Sequence, residues 1–483
     1  MSSPNIKYDN INTDIRKPGQ YSEYDLTTAV ASLPVGAPKV AILGQKTASG
    51  SATADTPYKI YSVQDAIDYG GTGSVIHLAA RAALKAHPNI DCTIVPIDDA
   101  VGTAATGTIV VANAATASGT IDFWIGNEYV QVTVTNGDAA NTVAAAIDSA
   151  INAKEHNMPV TASIAAPTVT LTARNDGLLG NNIPCSYKIN GVTGTTITIT
   201  QVGSVVAGAT DPSITNALAA IAPEKFDIIV CTLNDATNLG LLKTHLETYS
   251  GPTENKPAIG VFGYTGVQAT CETLCGTTLN DDRQSCGYLK YSKTTERGHS
   301  LDYEVGAAYG AVIASHDDPA APYNYEGLTG IAPSDTAQRL TRSQQESCLE
   351  NGVTPLEVGP GETVQIVRAI TTYTTNAAGT ADPALLDLTT VRALDYGRLA
   401  IETRQALRFS RSKATERTKG KLKSEVLDVI RQLSELEIWN NVTPDEVFVE
   451  EDSVAAGRFN VSIPAHVVQG LHIIANKINL FLG

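Results

Sequence analysis

Charged residues are scarce in this chain: Asp, Glu, Lys and Arg make up 17% of its 483 residues. That share is low for a soluble monomer, whose surface normally carries more charge. Much of the surface is therefore expected to be covered by another molecule. The charge that is present is unbalanced, with a formal net charge of −16. Because nucleic-acid binding depends on neutralising phosphates with Lys and Arg, this balance argues against DNA or RNA as a direct partner.

Long apolar runs and targeting signals are also missing. The opening stretch MSSPNIKYDNINTDIRKPGQ is polar and turn-forming, and it lacks the apolar centre of a signal peptide. The longest nearly uncharged apolar run, residues 305–314, is about half as long as a bilayer crossing requires. We therefore expect synthesis in the cytosol and no membrane insertion.

The cysteines do not indicate a disulfide framework. There are seven of them, an odd number scattered along a long chain, and they are interpreted as reduced buried thiols. Cys271, Cys275 and Cys286 could be combined with His299 into a zinc site, but the spacing matches no common zinc module. Buried thiols or a loop are the better interpretation, and neither a metal nor another cofactor is predicted.

Motifs of catalysis are weak. The stretch ILGQKTASGSA follows a predicted strand but fits neither G-x-x-x-x-G-K-[ST] nor G-x-G-x-x-G. There is no G-x-S-x-G elbow, and the adjacency of His299 and Ser300 does not define a triad. Asp235 follows a buried strand, where it could serve an α/β enzyme or simply cap the next helix. No catalytic residue is assigned, and an α/β hydrolase-like or ligand-binding enzyme of unknown substrate remains the alternative.

The order of predicted elements indicates a multidomain α/β protein. The stretches KVAILGQK, CTIVPI, FDIIVCTL and PAIGVFGY read as buried strands that alternate with helices, which predicts a mostly parallel α/β core. Between them, TIDFWIGNEYVQVTV, PTVTLTAR and TTITITQV alternate with turns and predict an inserted β-rich surface domain. A C-terminal α+β domain follows. The predicted divisions are an N-terminal extended arm (1–26), the α/β core domain (27–98 and 211–350), the inserted domain (99–210), the C-terminal domain (351–470) and a C-terminal strand or arm (471–483).

Positive charge is concentrated in one segment of this acidic chain. Residues 391–431 hold eleven Lys or Arg against five acids, which gives the segment a charge of +6 and leaves −22 for the rest. Aromatic residues are nearly absent from the run, which disfavours a groove for single-stranded nucleic acid. The segment fits two interpretations, a solvated helix face or a docking face for an acidic partner.

A helix is predicted at the end of this basic run. Its apolar stripe recurs at steps of four, three, four and three residues and consists of Leu422, Val426, Val429, Leu433 and Leu436. Gly420 is expected to break or kink the chain just before the stripe.

Several co-linear stretches resemble one known family. They include GLTGIAPSDTAQRL, DLTTVRALDYGRLAIETRQALRF and FNVSIPAHVVQGLHIIANKINLFL, together with NINTDIRKPGQYSEYD and the following KVAILGQK. These stretches are similar to the tail sheath proteins of contractile-tailed bacteriophages, particularly those of the Mu-like branch. The resemblance covers most of the chain outside residues 99–210.

The resemblance implies a structural polymer of the virion tail and no enzyme. Subunits would form hexameric rings stacked helically around a tail tube, and shortening of the sheath would drive the tube through the host envelope. It also implies assembly in the host bacterial cytoplasm. The implied partners are further copies of the chain, the tail tube protein, and the baseplate and tail terminator proteins.

Two sets of site residues follow from the resemblance. The C-terminal domain would face the tube, whose exterior tends to be acidic in this family. The tube-binding set is Arg408, Arg411, Lys413, Arg417, Lys419, Lys421 and Lys423. The two ends of the chain would act as intersubunit arms through Ile11, Ile15, Tyr21, Tyr24, Ile478, Leu480 and Leu482.

Overall fold

The computed structural model describes residues 16–20, 22, 38–293, 296–440 and 442–481. The predicted arm residues Ile11, Ile15, Tyr21, Tyr24 and Leu482 lie outside these ranges. The chain divides into two compact units, of which one contains residues 396–467 and the other contains residues 38–395 and 468–481.

Strands and helices occur in both units. The strands are β1 (Lys39–Gln45), β2 (Tyr58–Ile60), β3 (Asp91–Ile97), β4 (Ala104–Ala112), β5 (Gly119–Ile125), β6 (Glu128–Val134), β7 (Val160–Ala165), β8 (Thr168–Asp176), β9 (Cys185–Asn190), β10 (Thr196–Thr200), β11 (Ile228–Cys231), β12 (Ile259–Tyr264), β13 (Gln284–Tyr288), β14 (Thr354–Val358), β15 (Val364–Ile366), β16 (Phe448–Glu451) and β17 (Phe459–Ser462). The helices are α1 (Val63–Gly70), α2 (Val75–Ala86), α3 (Ala140–Asn152), α4 (Thr215–Ile221), α5 (Ala236–Tyr249), α6 (Gln268–Glu272), α7 (Asp302–Ser315), α8 (Arg342–Glu350), α9 (Leu388–Phe409) and α10 (Glu416–Glu435). A π-helix, Thr273–Leu279, continues directly from α6.

The largest sheet has eight strands in the order β15-β14-β13-β12-β11-β1-β3-β2. The six inner strands are parallel, and β15 and β2 run antiparallel at the two edges. Helices α2, α5 and α7 pack against this sheet. Burial by helices explains why β1, β11 and β12 are nearly continuous apolar runs without polar alternation.

Helix α7 is buried along almost its whole length and contacts β1, β11, β12 and β13. Its backbone touches β12 directly, because a Cβ on Gly263 would lie 2.1 Å from the carbonyl oxygen of Asp302 and 2.5 Å from the amide nitrogen of Gly306. Only glycine permits backbones to approach so closely. The apolar run 305–314 therefore belongs to a core helix. None of the helices in the described ranges has the length and hydropathy that a bilayer crossing requires.

Residues 104–200 form two antiparallel sheets and helix α3. One sheet has the order β10-β4-β8-β7 and the other β6-β5-β9. Buried and partly exposed residues alternate along β4 and β8, as in a sheet with one covered face. Arg81 of α2 donates hydrogen bonds to Glu128 of β6 at 2.7 Å and to Glu304 of α7 at 2.9 Å. The fold is thus mixed α/β with several sheets, as the sequence predicts.

Strands β14 and β15 belong to the large sheet. The sequence-predicted boundary between residues 350 and 351 falls between α8 and β14, and β14 pairs in parallel with β13 through Gly287 and Tyr288. Such pairing joins residues far apart in the chain. The boundary between the two compact units falls between residues 395 and 396, inside α9.

The unit of residues 396–467 contains a helical hairpin and the two-stranded sheet β16–β17. Helix α10 begins after Thr415, whose hydroxyl accepts the backbone N–H of Thr418. Gly420 lies inside α10, so the prediction that it breaks the chain is wrong. A single glycine costs a helix only about 1 kcal/mol, and burial of an apolar stripe outweighs that cost. The buried stripe is Leu422, Val426, Val429, Ile430 and Leu433, whereas Leu436 is 53% exposed at the C-cap.

Two glycines of the hairpin should respond oppositely to alanine. A Cβ on Gly397 would lie 2.2 Å from Cζ2 of Trp439, whereas nothing lies within 4 Å of the corresponding position at Gly420. We expect Gly420→Ala to stabilise the unit by about 1 kcal/mol and Gly397→Ala to destabilise it by about 1–3 kcal/mol. Urea unfolding followed by Trp439 fluorescence, in a Trp124→Phe background, measures both effects. An unchanged midpoint for Gly397→Ala would contradict the close packing of Trp439 on α9.

Candidate functional site

The predicted tube-binding residues lie at the end of the hairpin formed by α9 and α10. We call residues 408–423 the basic tip. Arg411 and Lys413 lie in the turn between the helices and are exposed, as are Arg417 and Lys421 on the first turns of α10. The other members of the set are partly buried: Arg408, Lys419 and Lys423. Four exposed cations thus converge at one end of the hairpin.

An ion-pair network holds the two helices together beneath the basic tip. The guanidinium of Arg404, only 6% exposed, donates to Glu425 at 3.1 Å and to Asp428 at 3.0 Å. Nε of Arg408 lies 3.8 Å from the same Glu425 carboxylate. Arg404 and Arg408 therefore contribute to the hairpin itself, and Arg408 is less available to a partner than the sequence suggested.

The exposed cations have no ion-pair partner in the part of the chain that the structure describes. Among the described residues, no carboxylate lies within ion-pair distance of Arg411, Lys413, Arg417 or Lys421, while Lys419 pairs with Glu416 at 3.4 Å. Positive charge near a helix N-terminus is unfavourable because the helix dipole is positive there. Arg417 and Lys421 therefore do not stabilise α10 through the helix dipole.

A run of acidic residues begins at the end of α10 in the same unit. Residues 435–452 contain seven acids and no Lys or Arg, and most of the acids are exposed. Arg417 and Glu435 are separated by about 27 Å along the axis of α10. Because positive and negative charge are separated in this way, the basic tip can attract an acidic partner that the acidic end of α10 repels.

The second candidate surface is the end of the chain. Residues 473–481, which we call the C-terminal arm, belong to no helix or strand and make no hydrogen bond to any other described residue. Their apolar side chains are exposed: Ile473, Ile474, Ile478, Leu480 and Phe481. Ile478 and Leu480 are 94% and 82% exposed. Residues two apart lie on one face of an extended chain, so Ile474, Ile478 and Leu480 would form one apolar face of a strand.

His472 fixes the point at which the C-terminal arm begins. Its Nδ1 lies 3.1 Å from the side-chain amide of Asn324, and its Nε2 lies 3.5 Å from a carboxylate oxygen of Asp387. Asp387 in turn accepts two hydrogen bonds from Arg368, at 2.9 and 2.8 Å. Burial lowers the pKa of His472, the charge of Arg368 lowers it further, and Asp387 partly opposes both. No pattern in the sequence indicates this anchor.

Residues considered for catalysis do not form a catalytic arrangement. Asp235 accepts N–H bonds at 3.0 Å from the first turn of α5, so it is a helix cap. His299 stacks on Tyr291 with ring centroids 4.8 Å apart, and burial lowers its pKa to about 4. The Ser300 hydroxyl accepts the backbone N–H of Ala332 and does not pair with His299.

The cysteines considered for zinc are only partly brought together. The sulfur atoms of Cys271, Cys275 and Cys286 lie within 4.8 Å of one another, and all three residues are buried. His299 is not a member of this cluster. The interpretation as buried thiols fits these three residues, and their convergence was not predicted from the sequence.

Comparison with known proteins identifies the family. The chain matches the phage tail sheath protein central domain over residues 207–372 and the phage tail sheath C-terminal domain over residues 380–481. It is also 30% identical over 501 residues to the Mu-like prophage FluMu tail sheath protein of Haemophilus influenzae, covering 99% of this chain and 100% of that protein. This chain belongs to the phage tail sheath protein family.

Solved sheath structures share the fold. The sheath tail protein of Desulfitobacterium hafniense matches with a TM-score of 0.52 at 14% identity, over 94% of this chain and 97% of that chain. The sheath complex of an extracellular contractile injection system, PVC, in its contracted state matches with a TM-score of 0.52 at 11% identity, over 97% and 98%. The family is structural, so this sheath protein is a virion component and the enzyme alternative is wrong.

Proposed function

We propose that this sheath protein polymerises as hexameric rings stacked helically around a tail tube, and that shortening of the polymer drives the tube through the host envelope. Assembly would take place in the host bacterial cytoplasm, with the tail tube, baseplate and tail terminator proteins as partners. The observation that carries the proposal is the C-terminal arm, whose apolar residues and backbone groups have no partner among the described residues of their own chain.

The C-terminal arm suits strand addition to a neighbouring copy. An extended segment that joins the edge of another sheet gains main-chain hydrogen bonds, and its alternate side chains enter pockets. The sheet β16–β17 is a plausible acceptor, since it has only two strands and leaves Phe448 57% exposed. A sheet of two strands is marginal on its own and gains from additional strands. Head-to-tail contacts of this kind generate rings and open helices.

We propose that the N-terminal residues act as a second arm of the same kind. The two tethers would keep neighbouring subunits connected while the subunit bodies change position. No nucleotide would be consumed, because the energy of shortening would be stored in the packing of the extended polymer.

The basic tip is proposed to contact the tube. Its four exposed cations would give a weak attraction to an acidic tube surface, which salt screens over about 8–10 Å. A weak and screened contact can template assembly and still be released when the sheath shortens.

Residues 99–210 are proposed to form the outer surface of the polymer. The two family models match residues 207–372 and 380–481, so they leave this β-rich segment outside their ranges. No catalytic task is proposed for its two antiparallel sheets.

Negative-stain microscopy of the purified full chain tests the proposal. We expect concentration-dependent ribbed cylinders or stacked rings. Compact particles of one subunit size at every concentration, including in the presence of tail tubes, would contradict it.

A further inference from the structure

Three of the seven cysteines gather in one place in the unit of residues 38–395. Cys271 lies on α6, Cys275 on the π-helix and Cys286 on β13, and each is completely buried. Their sulfur atoms all lie within 4.8 Å of one another, with Cys271 and Cys286 separated by 3.7 Å. Three thiols from three different elements thus converge on one point.

The separation between Cys271 and Cys286 matches one edge of a zinc site bound by sulfur. With Zn–S bonds of about 2.3 Å, the edges of a tetrahedral site are about 3.8 Å long. The measured edge between Cys271 and Cys286 is 3.7 Å. Structural zinc sites are closed and take four protein ligands, most often Cys and His.

A fourth buried thiol lies near the cluster, although its sulfur is not one of the three that lie within 4.8 Å of one another. Cys348 of α8 is completely buried, and its electrostatic environment includes the thiols of both Cys271 and Cys275. A set of four sulfur ligands favours Zn²⁺ or an iron–sulfur centre over hard cations such as Mg²⁺ and Ca²⁺.

The backbone around Cys275 is unusual in a way that supports a ligand. The π-helix Thr273–Leu279 is a rare conformation, and π-turns occur frequently at functional sites. It ends at Asn280 in the left-handed conformation, where the amide of Asn280 donates to the carbonyl of Cys275 at 2.9 Å. Cys271 and Cys275 are four residues apart in this continuous helical segment, so they share one face of it.

We propose that this sheath protein binds one Zn²⁺ ion through Cys271, Cys275 and Cys286, with Cys348 as the fourth thiolate. Each coordinating thiol releases its proton to solvent when the ion binds. The ion connects the segment of α6 and the π-helix, together with α8, to strand β13 of the large sheet. Its role is structural, because four buried protein ligands leave no open coordination position for a substrate.

Metal analysis of the full chain tests this proposal. The protein is expressed with added zinc, purified without chelator and analysed by inductively coupled plasma mass spectrometry. We expect close to one zinc per chain, and we expect Cys271→Ser and Cys286→Ser to lower zinc occupancy by about tenfold or more. The matched control is Cys231→Ser, which removes a buried thiol from β11 outside the cluster and should keep the zinc.

A second measurement uses the unmodified chain, in case the serine variants fail to fold. Titration with an organic mercurial in the presence of a zinc-sensitive dye should release zinc in proportion to the cluster thiols that react. A zinc-free wild-type chain, equal zinc in Cys271→Ser and Cys231→Ser, or an iron–sulfur absorption spectrum would each overturn the proposal. These outcomes are independent of polymerisation, so they do not bear on the proposed assembly.

Discussion

A chain in which Arg411, Lys413, Arg417 and Lys421 are replaced by Glu should fold normally and fail to assemble on tail tubes. All four side chains are exposed, and no described carboxylate pairs with them, so the body loses no internal contact. Reversing charge at an electrostatic contact turns attraction into repulsion, and we expect binding to tubes to weaken by about a hundredfold or more. Cosedimentation with purified tubes at low and high salt measures the loss.

Two controls accompany the charge reversal. Arg411→Lys combined with Arg417→Lys keeps the charge and should retain binding, because the proposed contact is screened and not bidentate. Lys188→Glu combined with Arg342→Glu reverses two exposed charges in the other unit and should also retain it. Normal tube decoration by the fourfold variant would contradict the proposed role of the basic tip.

Self-assembly without tubes distinguishes between two possible acidic partners. The exposed acids of residues 435–452 on another copy could also attract the basic tip. If the fourfold variant loses polymerisation even without tubes, the basic tip binds a neighbouring subunit, and the assignment to the tube is wrong. Unchanged self-assembly with lost tube binding supports the tube.

Deletion of residues 473–483 should give a folded protein that no longer polymerises. The described part of this segment contributes nothing to the core, and its apolar residues are exposed. The free energy of unfolding should therefore change by less than about 0.5 kcal/mol. Urea unfolding checks stability, and negative-stain microscopy checks assembly.

Point variants of the C-terminal arm separate strand addition from a general effect of truncation. Ile478→Asp places a charge on the apolar face, and Ile478→Pro removes a main-chain donor, so both should block assembly. Asn479→Asp, on the other face of the same extended segment, should be tolerated. A truncated chain that still forms helical sheaths would refute the role of the C-terminal arm in strand addition.

We expect deletion of residues 1–20 to have the same effect as deletion of the C-terminal arm.

Local patterns predicted much of the fold, whereas long-range pairing was less accessible. The buried strands β1, β11 and β12 appear in the sequence as short apolar runs. Helix α10 appears as apolar residues that recur every three or four positions. The pairing of β14 with β13 joins residues 66 or more positions apart, and no local signal encodes it. Gly420 was misjudged because helix propensity is a weak preference that tertiary packing overrides.

The candidate surfaces were predictable to different degrees. The exposed cations could be found from charge concentration alone, but the burial of Arg404 against Glu425 and Asp428 depends on how α9 meets α10. The anchor at His472 depends on side chains from residues 324 and 387, which lie far away in the sequence. The cysteine spacing matches no common zinc module, and only the fold reveals that Cys271, Cys275 and Cys286 converge.

The contact between α7 and β12 has a mechanical consequence. Glycines at positions 263 and 306 bring two backbones together without intervening side chains, and tightly packed interiors of this kind have low compressibility. Under load, this part of each subunit should therefore move as a stiff block. If the polymer shortens, most of the strain would then fall on the connections between these stiff blocks.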